Sequence, residues 1–182
     1  MNQNSHKFIL SAVGHDQPGI AASVTKVLFD HQCNIEGSSM TMLQGEFAII
    51  LVLSSSSISN QKQLLEILTD ELSDWNLMFN VRSHVDRSDS MDDFYYIMCS
   101  VYGADQPGIV YSVTNLLFEK KISITDLNTN RITSGDTPGY VMFIEAVCPK
   151  NISPDQIQKD FTDLSNRLNV QINVKELESE SL

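Results

Sequence analysis

Apolar residues in this chain form two kinds of run, and their alternation predicts its secondary structure. Residues 8–13 are a short run of strand formers that stops at Gly14. Apolar residues then recur at positions i, i+4, i+7 and i+8, the spacing of one helix face: Ile20, Val24, Val27 and Leu28. Residues 34–43 and 47–53 predict two strands, with a turn at residues 44–46 between them.

The next segment repeats the change from strand to helix to strand. A serine tract at residues 54–57 predicts a loop, and Ser59 is a candidate cap for a second helix. The apolar stripe of that helix is Leu64, Leu65, Leu68 and Leu72. Residues 77–85 alternate apolar and polar positions, which predicts a last strand and gives the order β-α-β-β-α-β.

The second half of the chain repeats the first at a shift of 89 residues. The segment from Gly14 to Phe29 matches the segment from Gly103 to Phe118 at 11 of 16 positions. The same plan follows in the second half, with a helix that starts at Ser153-Pro154 and a longer turn at residues 133–139. Strands are predicted at residues 95–102, 122–132, 140–147 and 170–174, and helices at residues 107–120 and 154–168.

A duplicated β-α-β-β-α-β unit predicts an α+β protein with two ferredoxin-like domains. Each domain would be a four-stranded antiparallel sheet with two helices on one face. We place the domains at residues 1–86 and 94–177, with a polar linker at 87–93 and an acidic tail at 178–182. The third strand of each unit is apolar without alternation, so the second sheet face should also be apolar and covered, within the chain or between chains.

Charge and cysteine content argue against a nucleic-acid-binding, membrane-bound or disulfide-bonded protein. A formal net charge of -11 disfavours direct binding to nucleic acid or to anionic membranes, because both partners are negatively charged. The three cysteines, Cys33, Cys99 and Cys148, are odd in number and widely spaced, which favours reduced core thiols. We see no signal peptide and no apolar segment of about 20 residues that could span a bilayer. The expectation is a soluble cytoplasmic protein.

The repeated loop between the first strand and first helix is the best candidate for function. Helix N-termini carry unpaired amides and a positive dipole end, which attract a carboxylate or phosphate. Gly19 and Gly108 would let a ligand approach the backbone. Two interpretations of Asp16 and Asp105 stay open: each is only the helix cap, or each holds the ammonium of an amino acid.

These residues resemble the ACT domain, a small amino-acid-sensing regulatory module. The resemblance rests on Asp16-Gln17-Pro18-Gly19-Ile20, then Val24, Leu28 and Asn34-Ile35. The second copy carries Asp105-Gln106-Pro107-Gly108-Ile109, then Val113, Leu117 and Ser123-Ile124, so it departs from the pattern at Ser123. Both halves match, and the motif stands after a strand and before a helix in each.

The resemblance implies a binding site for a small amino acid, glycine or a similar one. In ACT domains the ligand lies between the strand-helix loop of one domain and the start of the second strand of its neighbour. Carried over to this chain, the implied ligand-binding residues are Asp16, Gly19, Ile20 and Asn34 in the first copy and Asp105, Gly108, Ile109 and Ser123 in the second.

Tandem ACT domains resemble a family of regulators of glycine cleavage genes, thought to act through a DNA-binding activator. The partners implied are a small amino acid and such an activator, with no direct nucleic acid contact, and exposed sheet edges are compatible with a homodimer. An alternative is an allosteric subunit that regulates a metabolic enzyme. A catalytic protein is a third class, but no nucleophile motif, metal-ligand spacing or cofactor motif occurs, so we expect no enzyme, metal or cofactor.

Overall fold

The computed structural model describes residues 5–84, 93–134 and 137–177. The chain divides into two compact units, Met1–Ser88 and Asp89–Leu182. Apart from Asp93, the predicted linker and the acidic tail lie outside the described residues. The proposed domain boundaries therefore stay predictions.

Unit 1 has the predicted order of elements, and its first strand lies in the middle of the sheet. Its strands are β1 (His6–His15), β2 (Cys33–Leu43), β3 (Glu46–Ser55) and β4 (Met78–Ser83), and its helices are α1 (Ile20–Asp30) and α2 (Gln61–Glu71). The strand order in the sheet is β2-β3-β1-β4, with antiparallel neighbours throughout. β2 and β4 are therefore the edges of the sheet.

Unit 2 repeats this arrangement element by element. Its strands are β5 (Phe94–Ala104), β6 (Ser123–Ser134), β7 (Thr137–Pro149) and β8 (Gln171–Leu177), and its helices are α3 (Ile109–Glu119) and α4 (Pro154–Leu168). The strand order β6-β7-β5-β8 is the counterpart of that in unit 1. The predicted pair of ferredoxin-like α+β domains is confirmed.

Each unit has one core, formed where the helices cover one face of the sheet. In unit 1 the buried face of α1 is the predicted stripe of Ile20, Val24, Val27 and Leu28. On α2 only Leu64 and Leu68 are buried within the helix; Leu65 is half-buried, and Leu72 is buried just beyond the helix end. On α3, Leu116 is half-buried at the edge of the core, while Ile109, Val113 and Leu117 are fully inside it.

The second sheet face of unit 1 carries apolar residues, as the third strand indicated. In register, Val13 lies between Ala48 and Met78, and Ile9 lies between Val52 and Arg82, so polar side chains share this face. Ile50 and Met78 are 53% and 72% exposed, so these apolar residues are open in the described part of unit 1. Coverage of this face by another surface stays a prediction.

Some element ends differ from the sequence-based expectation. The strands are longer than predicted at most ends; in particular, β6 and β7 extend through most of the predicted turn at residues 133–139. The second helix is capped by Asn60 rather than Ser59, because the Asn60 side chain accepts a hydrogen bond from the Gln63 amide at 3.0 Å. The Ser153 cap with Pro154 in the first turn is confirmed.

The three cysteines are buried and lie on strands. Burial raises the pKa of the Cys99 thiol to about 12, and burial also raises the pKa of Cys33 and of Cys148. A thiol with a raised pKa is protonated at neutral pH and reacts slowly. The described residues thus place all three cysteines as core thiols without a disulfide.

No helix among the described residues has both the length and the apolar character that a membrane crossing requires.

The end of β1 makes a close contact with the segment that leads into β4. A Cβ added at Gly14 would lie 2.7 Å from Leu77 Cδ2 and 3.2 Å from the Asn76 carbonyl oxygen. Gly103 makes the same contact in unit 2, where the added Cβ would lie 2.7 Å from Val170 Cγ1. β1 and β5 therefore favour glycine where they pass the residue before the last strand of their unit.

We expect Gly14→Ala to destabilise unit 1 by about 1–3 kcal/mol, because the new methyl group overpacks a contact that includes backbone. Urea unfolding followed by the fluorescence of Trp75, the single tryptophan of the chain, reports on this unit. Gly37→Ala is the matched control, since its Cβ would meet only Val52, at 3.9 Å. Equal midpoints for the two variants would contradict the prediction.

Candidate ligand-binding loops

Two equivalent loops join the central strand of each unit to its first helix. Loop 1, residues 16–19, follows β1, and loop 2, residues 105–108, follows β5. Both lie where a strand ends and a helix begins, as the sequence predicted. Because the preceding strand is central in the sheet, each loop lies at one end of the core.

The aspartates do not cap the helices. The residue before α1 is Gly19, at φ 101°, and no side chain accepts a hydrogen bond from the first turn. Gly108 takes the same place before α3 at φ 96°, again without a side-chain cap. The interpretation of Asp16 and Asp105 as simple helix caps is therefore wrong, and no side chain caps either helix start.

The two glycines are needed for backbone conformation, and one is also needed for space. A φ near +100° is unfavourable for residues with a Cβ, so both positions require glycine. At Gly19 an added Cβ would also lie 3.3 Å from Trp75 Cη2. Nothing lies within 4 Å of the corresponding point at Gly108. Loop 1 thus has an aromatic wall at this point that loop 2 lacks.

The β2–β3 hairpin holds loop 1 from the other side. The Asp16 amide donates a hydrogen bond to the Gly45 carbonyl oxygen at 2.8 Å. Gln44 and Gly45 both have positive φ, at 53° and 85°, which makes the tight turn that the sequence predicted here. The backbone of Asp16 is therefore fixed, while its side chain is exposed.

The two loop carboxylates differ in their electrostatic surroundings. Asp105 Oδ2 lies 2.8 Å from Arg131 Nε, so this carboxylate has an ion-pair partner on β6. Within residues 5–84 the Asp16 side chain has neither an ion pair nor a hydrogen bond. The carboxylate of loop 1 is the one that remains available to a cation from outside.

The side chains of Ile20 and Ile109 cannot form part of an exposed site. They are 1% and 2% exposed and belong to the cores of their units. The Ile20 amide is also used, since it donates to the Gln17 carbonyl oxygen at 3.3 Å. A role for these residues in binding would have to use other backbone atoms at the helix start, and that role stays a prediction.

Asn34 and Ser123 are exposed but lie at the opposite end of the sheet from the loop of their own unit. Asn34 pairs with Ser54, which in turn pairs with Lys7, near the beginning of β1. Eight residues of strand separate Lys7 from the end of β1, a distance of about 26 Å. Unit 2 has the same geometry, because Ser123 pairs with Val147 at the far end of β7. Neither unit brings its two predicted half-sites together.

A histidine directly precedes loop 1. His15 is exposed, with Nδ1 3.6 Å from Glu46 Oε1, and is a surface residue at the rim of loop 1. Among the described residues, no three histidine, cysteine or acidic side chains are grouped as metal ligands would be.

Comparison with known proteins agrees with this geometry. The family model described as "ACT domain" matches residues 6–82. The glycine cleavage system transcriptional repressor of Escherichia coli is 27% identical over 172 residues, which cover 92% of this chain and 88% of that protein. The repeated loop and the repeated strand order extend the likeness to unit 2.

Unit 1 matches the ACT domain, and unit 2 repeats its strand order. Two solved structures show the same fold over nearly the whole chain. A protein of unknown function from Galdieria sulphuraria is 23% identical with a TM-score of 0.84, covering 96% of this chain and 99% of that one. A provisionally assigned glycine cleavage system transcriptional repressor is 21% identical with a TM-score of 0.73, covering 96% and 98%.

Two residues beside the loops were not predicted as site residues. Trp75 packs partly on the core, and its ring also lies against Gly19. The shift of 89 residues aligns Arg131 with Met42, which is a change from an apolar to a charged residue. That substitution was readable, but its meaning depends on the position of Asp105.

We expect Gly108→Ala to cost about 1–2 kcal/mol of stability, the penalty for a Cβ at positive φ. Gly19→Ala should cost more, because Trp75 must also shift, and only this variant should change the native emission of Trp75. Urea unfolding by circular dichroism and native fluorescence spectra make the comparison. Equal costs with an unchanged Trp75 emission would show that the ring does not confine the loop.

Proposed function

We propose that this protein is a regulatory sensor of a small free amino acid, glycine or one of similar size. It acts as a transcriptional regulator of glycine cleavage genes through a partner DNA-binding activator, and it has no catalytic activity. The name of its Escherichia coli relative supports the regulatory role. The net charge of -11 supports an indirect route to DNA, since phosphate repels such a surface.

The observation that carries this proposal is the state of loop 1. An uncapped helix start lies beside a carboxylate that has no partner among the described residues of its unit. The helix start suits the carboxylate of an amino acid, because the helix dipole stabilises an anion there by about 0.3–1 kcal/mol. Asp16 suits its ammonium, and a hydrogen bond to a charged group is worth about 1.5–3 kcal/mol.

A second copy of the chain would complete the site. Asn34 lies about 26 Å from Asp16 along one sheet, so the Asn34 that meets loop 1 has to come from a neighbouring domain. β2 is a sheet edge, and its residues 37–43 carry neither charge nor proline, the devices that usually block edge pairing. Antiparallel pairing of two β2 strands centred on Ser38 would set Asn34 of the second copy opposite Met42, beside the hairpin that holds loop 1.

The expected affinity is weak, as a sensor of abundant metabolites requires. A few charge-assisted contacts at an open site correspond to about -4 to -8 kcal/mol, or millimolar to micromolar dissociation constants. Such affinities let occupancy follow the free amino acid concentration in both directions.

We expect at least one small amino acid from a panel of the twenty to bind, and Asp16→Asn to weaken that binding about tenfold or more, because the ammonium loses its counter-charge. Calorimetry measures the affinity, and the emission of Trp75 reports the event at loop 1. Asp70→Asn removes an exposed carboxylate from α2 and is the matched control. Circular dichroism confirms that each variant is folded.

Two results would count against this site. The first is an absence of binding by any of the twenty amino acids at millimolar concentration. The second is equal affinity for the wild type and the folded Asp16→Asn variant, which would place the ligand elsewhere.

We expect the chain to capture a DNA-binding activator and to leave a DNA duplex unbound at physiological salt, because its surface is acidic. Pulldown with the tagged chain, with and without the bound amino acid, followed by a mobility-shift assay with DNA, makes this measurement. Recovery of a biosynthetic enzyme instead would favour the role of an allosteric enzyme subunit. Direct binding to DNA by the chain alone would contradict the indirect route.

A further inference from the structure

Met42 and Arg131 occupy the same position in the two units. Met42 pairs with Phe47 across the β2–β3 ladder, and Phe47 pairs with Gly14. In unit 2, Arg131 pairs with Tyr140, which pairs with Gly103. Both side chains therefore start from a position two strands away from the glycine that precedes the loop.

Only the second of these side chains carries a charge, and it is used within its own unit. The Arg131 Nε lies 2.8 Å from Asp105 Oδ2. The Asp105 side chain is 27% exposed, while that of Arg131 is 81% exposed, so the guanidinium lies over the carboxylate from the solvent side. An incoming ammonium would approach Asp105 from that same side.

We propose that Arg131 is a built-in cation that closes the carboxylate of loop 2, so that only loop 1 binds an amino acid. This rests on the proposed function and names the residue pair that decides which unit senses. Met42 leaves Asp16 open, and Arg131 takes the place that the ligand's ammonium would occupy at Asp105.

The competition favours the tethered cation. A group held on the same sheet, two strands away, acts at an effective concentration in the millimolar range or above. A free amino acid has to break this ion pair before its ammonium reaches Asp105, so the pair lowers its affinity for loop 2. A weak ligand therefore leaves loop 2 largely unoccupied.

A second feature also separates the two loops. The Gln106 side chain donates a hydrogen bond from Nε2 to the Leu168 carbonyl oxygen at 2.7 Å, which ties loop 2 to the end of α4. Within residues 5–84 the side chain of Gln17, its counterpart in loop 1, makes no hydrogen bond. Loop 2 is closed by contacts of its own chain, whereas loop 1 keeps its polar side chains free.

Amide NMR can observe the two loops separately in the intact chain. The probe is the twenty-amino-acid panel, with glycine first, and the signals are the amides of Gly19 and Gly108. In the wild type we expect saturable shifts at Gly19 and none at Gly108. Arg131→Met should make Gly108 respond as well, and Met42→Arg should weaken the response of Gly19 by a factor of about three to five, as an exposed ion pair would.

Two control variants separate charge from fold. Arg131→Lys keeps a cation and should keep Gly108 silent. Arg82→Met removes an exposed guanidinium from β4 and should leave both responses as in the wild type. Unchanged amide spectra away from the substituted position confirm that each variant is folded.

The failures of the two proposals can be told apart. A response of Gly108 in the wild type, or a silent Gly108 in the folded Arg131→Met variant while Gly19 still responds, overturns the closure by Arg131 and leaves the sensor role standing. Silence of both amides toward all twenty amino acids in every variant overturns the sensor role, and the closure falls with it.

Discussion

The structure depends on how the chain leaves a central strand and starts a helix within four residues. Gly14 and Gly103 let the strand end against the residue that precedes the last strand, and Gly19 and Gly108 turn the backbone at positive φ. Any side chain at these points either clashes or strains the backbone. The loop geometry follows from this steric constraint and leaves the helix amides without a side-chain cap.

Duplication has kept this scaffold and changed the charges around it. Both units share the strand order, the glycine turn and the aspartate, but one loop carboxylate is paired with Arg131 and the other has no partner in its described unit. The backbone constraint is steric and tolerates little change, whereas a side chain on an exposed edge strand can change without cost to the core. Function can therefore diverge between the units while the fold stays the same.

The sequence predicted the fold well because apolar periodicity reports burial directly. The stripe from Ile20 to Leu28 is the buried face of α1, and the order of strands and helices is as expected. The prediction from sequence was wrong at the helix starts. Asp16 has the residue type that is preferred as a helix cap, but it does not cap α1. Gln17, Pro18 and Gly19 separate Asp16 from the helix. The residue before the helix is a glycine at positive φ without any side-chain cap, which residue preference alone does not indicate.

The sequence by itself determined the two units, their cores and the place of the loops, since these follow from the repeat and from local spacing. The tertiary structure alone decided that Arg131 meets Asp105, that Trp75 lies against Gly19, and that Asn34 is remote from Asp16. The residues of each pair are distant along the chain. Strand order and register decide which distant residues meet and which lie at opposite ends of one sheet.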